Sequence, residues 1–255
     1  MVPEYKALGG VRTKVEGGVS IGMQDSPDAL LKKVDQYMKE GYRRVKCKIE
    51  PGKDVAYMAA VRREFGNIPL TCDANSAYTL KDIEIFKELD DLNLLMIEQP
   101  LASSDIIDHS HLQAAIKTPI CLDESIESPD DMRYAIELKS CKILNIKVSR
   151  VGGLTEARRL QQYAGEHGIH SWCGDMLDTG IQRAHNIASA TLPYYTWPND
   201  IVSSDQYFAN NLVADQDYVD NDSYVKVSEK PGLGYTIDQK QLDTYTIQKW
   251  EYTTD

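Results

Sequence analysis

The sequence predicts an α/β fold, a TIM-type (β/α) barrel, on three observations. Short apolar runs alternate with amphipathic stretches from about residue 18 to residue 192, the pattern of repeated βα units. A charged residue closes five of those runs at a nearly constant interval. The length of 255 residues suits one such barrel, which takes about 250.

The elements follow in order. Residues 18–22 read as the first strand, and Ser26-Pro27 opens a helix over 26–40, an N-cap followed by proline at the first helical position. Leu30, Val34, Tyr37 and Met38 lie on one face of that helix. Strands over 43–49, 69–73, 94–98, 119–123, 143–147 and 170–173 come next, with helices such as 55–65, 80–89, 129–138 and 154–167 between them. Ser128-Pro129 repeats the cap of the first helix. Past residue 193 the signal weakens to an eighth strand near 200–203 and a polar tail. Within the tail, 223–228 and 244–252 alternate like strands about a Pro231-Gly232-Leu233-Gly234 turn. The expected division is a lead-in over 1–17, the barrel over 18–205 and a peripheral segment over 206–255.

Composition narrows the class. A formal charge of −11 argues against nucleic acid or an anionic membrane as the main partner and favours a small-molecule enzyme. The apolar runs are too short to span a bilayer, and the opening MVPEYKALGG has no signal-peptide pattern, so the chain reads as cytoplasmic. Composition leaves a homo-oligomer open. The five cysteines, Cys47, Cys72, Cys121, Cys141 and Cys173, form no CxxC pair and read as reduced and buried.

Lys48, Asp73, Glu98, Asp123 and Lys147 close successive strands at intervals of 25, 25, 25 and 24 residues, one βα unit per step. Parallel barrel strands bring their C-terminal ends to one mouth, where active sites are built. Asp73, Glu98 and Asp123 would form a wall of hard oxygen ligands suited to Mg²⁺ or Mn²⁺. Histidine does not share the ring, and His109 and His111 read as surface residues at a polar helix start. Lys46 and Lys48, at i and i+2 of one strand, share a face roughly 6.6 Å apart, so each is expected to have a depressed pKa. Lys147 lies four strands further around a ring of eight and would face Lys48 across the axis. A carbon between the two could lose a proton to one lysine, with metal and a cationic lysine neutralising the enediolate. That pairing of Lys with Mg²⁺ is itself a recognised enolase-superfamily pattern.

With these residues placed, the sequence resembles the enolase superfamily, in its branch of o-succinylbenzoate synthases and N-acylamino acid racemases. The matching stretches include Lys46-Cys47-Lys48, Asp73-Ala74-Asn75, Glu98-Gln99-Pro100-Leu101, Asp123-Glu124-Ser125, Asn145-Ile146-Lys147 and Trp172-Cys173-Gly174. Each is weak alone and specific in this order. The resemblance implies a modified (β/α)7β barrel, with Asp73, Glu98 and Asp123 on the metal and Lys48 and Lys147 as the acid/base pair. It implies that Lys46 steadies the substrate carboxylate and that Ser20, Asn75 and Met176 line the substrate pocket. The implied reaction forms o-succinylbenzoate for menaquinone biosynthesis by proton abstraction and syn elimination of water, with N-acylamino acid racemisation as a second or main activity. Relatives also carry an N-terminal capping domain, of which residues 1–13 resemble only the exit, so a barrel impaired by lacking its cap is the alternative. Asp175 stands where relatives have a second glycine, an anion expected to repel a substrate carboxylate.

Overall fold

The computed structural model describes residues 1–252. A short helix α1 (Glu4–Leu8) and a strand β1 (Lys14–Glu16) lead into β2 (Gly18–Ile21), α2 (Pro27–Lys39), β3 (Arg44–Lys48), α3 (Val55–Phe65), β4 (Leu70–Asp73) and α4 (Ile83–Asp90). The alternation continues through β5 (Ile97–Glu98), α5 (Ile106–Ala115), β6 (Ile120–Leu122), α6 (Pro129–Leu138), β7 (Ile143–Ile146), α7 (Leu154–Glu166), β8 (His170–Cys173) and α8 (Gly180–Ser189). Both serine caps form as the sequence predicts: Ala29 N donates to Ser26 Oγ at 3.2 Å and Asp131 N to Ser128 Oγ at 3.3 Å.

Strands β2 to β8 pair in chain order, all parallel, in one curled sheet. Parallel neighbours require crossovers, and the helices supply them on the outer face. The ring is completed without a regular eighth strand. Residues 195–200 lie between the two ends of the sheet. Thr196 N donates to Ser171 O at 3.0 Å and Asp200 N to Cys173 O at 2.9 Å on one side, and Asn199 N to Glu16 O at 3.0 Å on the other. This corrects the expected strand at 200–203: the closing segment begins earlier and is irregular. Pro198 has no N–H to donate to a ladder.

The tail also departs from expectation. A strand β9 (Tyr224–Lys226) forms inside 223–228 and pairs antiparallel with β1. The expected strand at 244–252 does not form. Instead Asp238 caps a helix α9 (Gln239–Tyr245), accepting from Gln241 N at 3.0 Å, and the described residues beyond it are exposed with no sheet edge beside them.

Two apolar layers hold the barrel. The larger packs sheet against helices, with Val34, Val61, Phe86, Leu112, Met132 and Leu160 among its fully buried members. The smaller, Met96, Cys121, Ile143 and Trp172, fills the barrel interior. Above that inner layer the interior turns polar, and two glycines make the room. A Cβ on Gly18 would meet the Arg44 guanidinium at 2.4 Å, and one on Gly174 would meet Asn145 Oδ1 at 2.2 Å. All five cysteines are free and buried, as expected. Among the described residues no helix is long and apolar enough to cross a membrane.

Candidate active site

The five charged strand ends meet at one mouth. Strand register sets Lys48 beside Asp73 and Asp73 beside Glu98, and Asp123 follows directly on β6. The three acids are buried although all are ionisable, which marks them as partnered. Lys46 Nζ lies 2.7 Å from Asp200 Oδ2, 3.0 Å from Glu98 Oε2 and 3.4 Å from Asp73 Oδ2. Lys48 Nζ lies 2.7 Å from Asp73 Oδ2 and donates to Asn75 Oδ1. Lys147 Nζ lies 2.9 Å from Asp123 Oδ2, and Arg150 pairs with the other oxygen of the same carboxylate.

Strained backbone aims some of these groups. Asn75, Ser76 and Gln99, just past β4 and β5, have φ of +40°, +65° and +36°, a region that residues other than glycine adopt only when held there. Gln99 is held by its own side chain. Its Oε1 accepts from Asp123 N at 2.9 Å and Ser125 N at 3.3 Å, and its Nε2 donates to Ser125 Oγ at 2.7 Å. Asn75 Nδ2 donates to Glu124 Oε1 at 3.1 Å, which ties the end of β4 to the loop after β6. Ser20 pairs with Lys46 in register, and Met176 is exposed with its sulfur 3.8 Å from Arg150 Nη2.

Several members were not assigned roles from sequence. Arg44 continues the spacing of Lys46 and Lys48, and that alternation could have found it. Asn145 and Gln99 sit inside quoted motifs; Asn145 Nδ2 donates to Glu98 Oε1 at 2.7 Å. Arg150 stands three residues past Lys147. Asp200 reads from sequence as the start of the expected eighth strand, not as one of the charged strand ends, and so was given no role; the segment that carries it is irregular. One histidine expectation is corrected: His109 is fully buried, its Nε2 accepting from Leu101 N at 3.2 Å while Nδ1 meets Asp105 O. It is a structural tie between α5 and the loop after β5. His111 is exposed, as expected.

The expectation for Lys46 is corrected too. Burial by itself would lower the Lys46 pKa, but Asp200, Glu98 and Asp73 together hold it well above the ordinary value. Burial opposes the Lys147 charge as well, and Asp123 overrides it and raises that pKa. Lys46 and Lys147 are thus fixed as cations. The compensating deficit falls on Glu98. Burial, then the negative charge of Asp73, raises it to about 8 despite Lys46. One ammonium shared among three acids leaves the deepest of them short of positive charge.

That deficit fits a divalent cation. The donor set is all oxygen, which suits a hard ion, and Asp123 Oδ2 faces Lys147 without making a hydrogen bond. The carboxylates are turned onto basic side chains, and among the described residues no three His, Cys, Asp or Glu side chains close into a ready-made cage. Occupation by a metal therefore requires the acids to turn from the lysines.

The chain is similar to known proteins in sequence and in fold. Residues 29–241 match the family described as Enolase C-terminal domain-like. The o-succinylbenzoate synthase of Bacillus subtilis is 52% identical over 248 residues, covering 97% of this chain and 66% of that protein. The N-succinylamino acid racemase of Thermus thermophilus is 44% identical over 245 residues, covering 96% of this chain and 66% of that one. The solved structure of an enolase-superfamily member from Listeria innocua superposes with a TM-score of 0.93 at 41% identity, covering 97% of this chain and 66% of that chain. The chain thus spans about two thirds of the length of the curated relatives it matches.

Proposed function

This chain belongs to the Enolase C-terminal domain-like family, and on that premise we propose that it is the catalytic barrel of an o-succinylbenzoate synthase-like lyase. The observation that carries the reading is the placement of Lys48 and Lys147, each bound to a different acid of the buried trio, at the ends of strands that have three others between them. The identity to the Bacillus subtilis synthase supports the same reaction. In this reading Asp73, Glu98 and Asp123 hold Mg²⁺ or Mn²⁺, the barrel spans 18–205, and the product enters menaquinone biosynthesis in the cytoplasm.

When bound, the metal supplies positive charge to the substrate carboxylate oxygens as the α-carbon ionises. The chain's own residues do the rest. Lys48, the more exposed of the pair, takes the α-proton on its neutral Nζ. The enediolate that forms lies under the ammonium of Lys147, which supplies positive charge on the opposite face. Lys48 then returns its proton to the departing hydroxyl on the same face, water leaves, and the lysine is neutral again. Lys46 contributes fixed positive charge beside the substrate carboxylate. Ser20, Asn75 and Met176 line the pocket.

A second reading, N-acylamino acid racemisation, is supported by the likeness to the Thermus thermophilus enzyme. It requires Lys147 to become neutral and take or give a proton on the opposite face. The higher identity to the Bacillus subtilis synthase, 52% against 44% to the racemase, favours the synthase as the main activity. The test is to incubate this chain, alone and joined to the capping domain of a relative, with Mn²⁺ and either the synthase substrate or an N-acyl amino acid. Formation of the aromatic product, read by ultraviolet absorbance, is expected. Turnover of neither substrate by either form overturns the reading.

A further inference from the structure

Asp200 lies outside the acidic trio yet is buried beside it, on the segment that closes the barrel. It is anchored from three directions. Its backbone N donates to Cys173 O at 2.9 Å, its Oδ1 accepts from Arg44 Nη2 at 2.6 Å, and its Oδ2 lies 2.7 Å from Lys46 Nζ. Arg44 is itself fixed. Its guanidinium sits 5.3 Å from the Trp172 ring, and the space it fills exists because residue 18 has no Cβ. The Lys46 ammonium also lies over Trp172, at 4.8 Å.

Lys46 therefore touches three carboxylates, two of which, Asp73 and Glu98, belong to the trio. A dication taking up those oxygens repels the ammonium at close range. A buried lysine left without a counter-ion is costly, and a side chain of four methylenes can swing away. Among the described residues, Asp200 is the one acid in contact with Lys46 that a metal on the trio does not claim.

We propose that Asp200 is a positioning residue: it retains the Lys46 ammonium when a divalent cation takes Asp73 and Glu98, keeping that lysine beside the substrate carboxylate. The proposal rests on the reading of Asp73, Glu98 and Asp123 as metal ligands. Without Asp200, Lys46 has only the trio as anionic partner and competes with the metal for it.

The experiment is calorimetric titration of Mn²⁺, without substrate, into the wild-type chain, Asp200→Asn, Lys46→Met and the double variant. Asp200→Asn is expected to weaken Mn²⁺ binding by about 10- to 100-fold, the range for removing a partner behind a metal site. In the Lys46→Met background the same change is expected to cost less than about threefold, because the competing ammonium is gone. Unchanged affinity in Asp200→Asn overturns the proposal. So does an equal loss in both backgrounds, which shows only a missing negative charge. If Asp200→Asn fails to fold because Arg44 is left unpaired, Arg44→Met/Asp200→Asn removes the buried pair as a unit, and the same comparison with and without Lys46 decides. Absence of Mn²⁺ binding by the wild-type chain overturns the ligand reading and this proposal together; binding by wild type with no effect of Asp200→Asn overturns this proposal alone.

Discussion

Lys147 Nζ lies 2.9 Å from Asp123 Oδ2 while Arg150 occupies the other oxygen of that carboxylate. Asp123 thus keeps a cationic partner if Lys147 is removed, so Lys147→Ala should leave the fold intact. Its turnover of both substrates should fall by about 10²- to 10⁴-fold, the usual effect of losing an acid/base group. Lys147→Arg separates the two roles. A guanidinium keeps the positive charge the synthase reaction needs but cannot lose a proton. Residual synthase activity with no racemisation is expected from it. Full activity in Lys147→Ala, with a native circular dichroism spectrum, removes Lys147 from the mechanism.

Metal should stabilise the folded chain. Three buried acids crowd one another, and burial with the charge of Asp73 raises the pKa of Glu98 to about 8, a strain that a dication bound to their oxygens relieves. Mn²⁺ at a hundred times its dissociation constant should add about 2.7 kcal/mol. For a chain of 255 residues that is a rise in melting temperature of roughly 5–10 °C. Glu98→Gln removes the central charge, so its rise should shrink or vanish. A wild-type melting temperature unmoved by millimolar metal would count against the trio as ligands.

What was legible in the sequence was what repeats. The βα period carried Lys48, Asp73, Glu98, Asp123 and Lys147 to one mouth, and cap chemistry placed the starts of α2 and α6. What was not legible depends on three-dimensional partners. Nothing in the sequence around His109 shows that Leu101 N will seek its ring, so it read as a surface residue. The pKa of Lys46 was expected to fall from its nearness to Lys48, and it rises because Asp200, far along the chain, closes the ring beside it. The alternation of 244–252 suggested a strand, but a strand needs an edge to pair with, and Asp238 had already begun a helix.

Gln99 offers a test of how the acid on β6 is held. Its side chain satisfies the backbone N–H groups of Asp123 and Ser125 in a buried setting. Gln99→Ala leaves both without partners, at about 1–3 kcal/mol each. A fall in melting temperature of roughly 5–15 °C is expected, together with weaker metal binding as Asp123 loses its fixed position. A melting temperature within a degree of wild type would show that solvent or a shifted backbone replaces the amide.

Asp175 sets a pH dependence whose sign can be stated. Burial, then the charge of Asp200, raises its pKa from 3.8 to about 6, although Leu177 N and the Tyr207 hydroxyl favour the ionised form. The folded chain therefore holds a proton on Asp175 between about pH 4 and pH 6 that the unfolded chain has released. Stability from this group is complete below the unfolded pKa and is lost as pH rises through 6. Asp175→Asn keeps an acceptor for Tyr207 and cannot ionise, so it escapes that loss. It should melt higher than wild type at pH 8, by a few degrees, and the gap should close as the pH is lowered toward 4. The same variant removes an anion from the loop beside Met176, so KM for a substrate bearing a carboxylate should fall if Asp175 repels it, with kcat little changed. A gap in melting temperature that stays constant from pH 4 to pH 8 would mean that Asp175 does not titrate in this window, and that the substitution acts through packing alone.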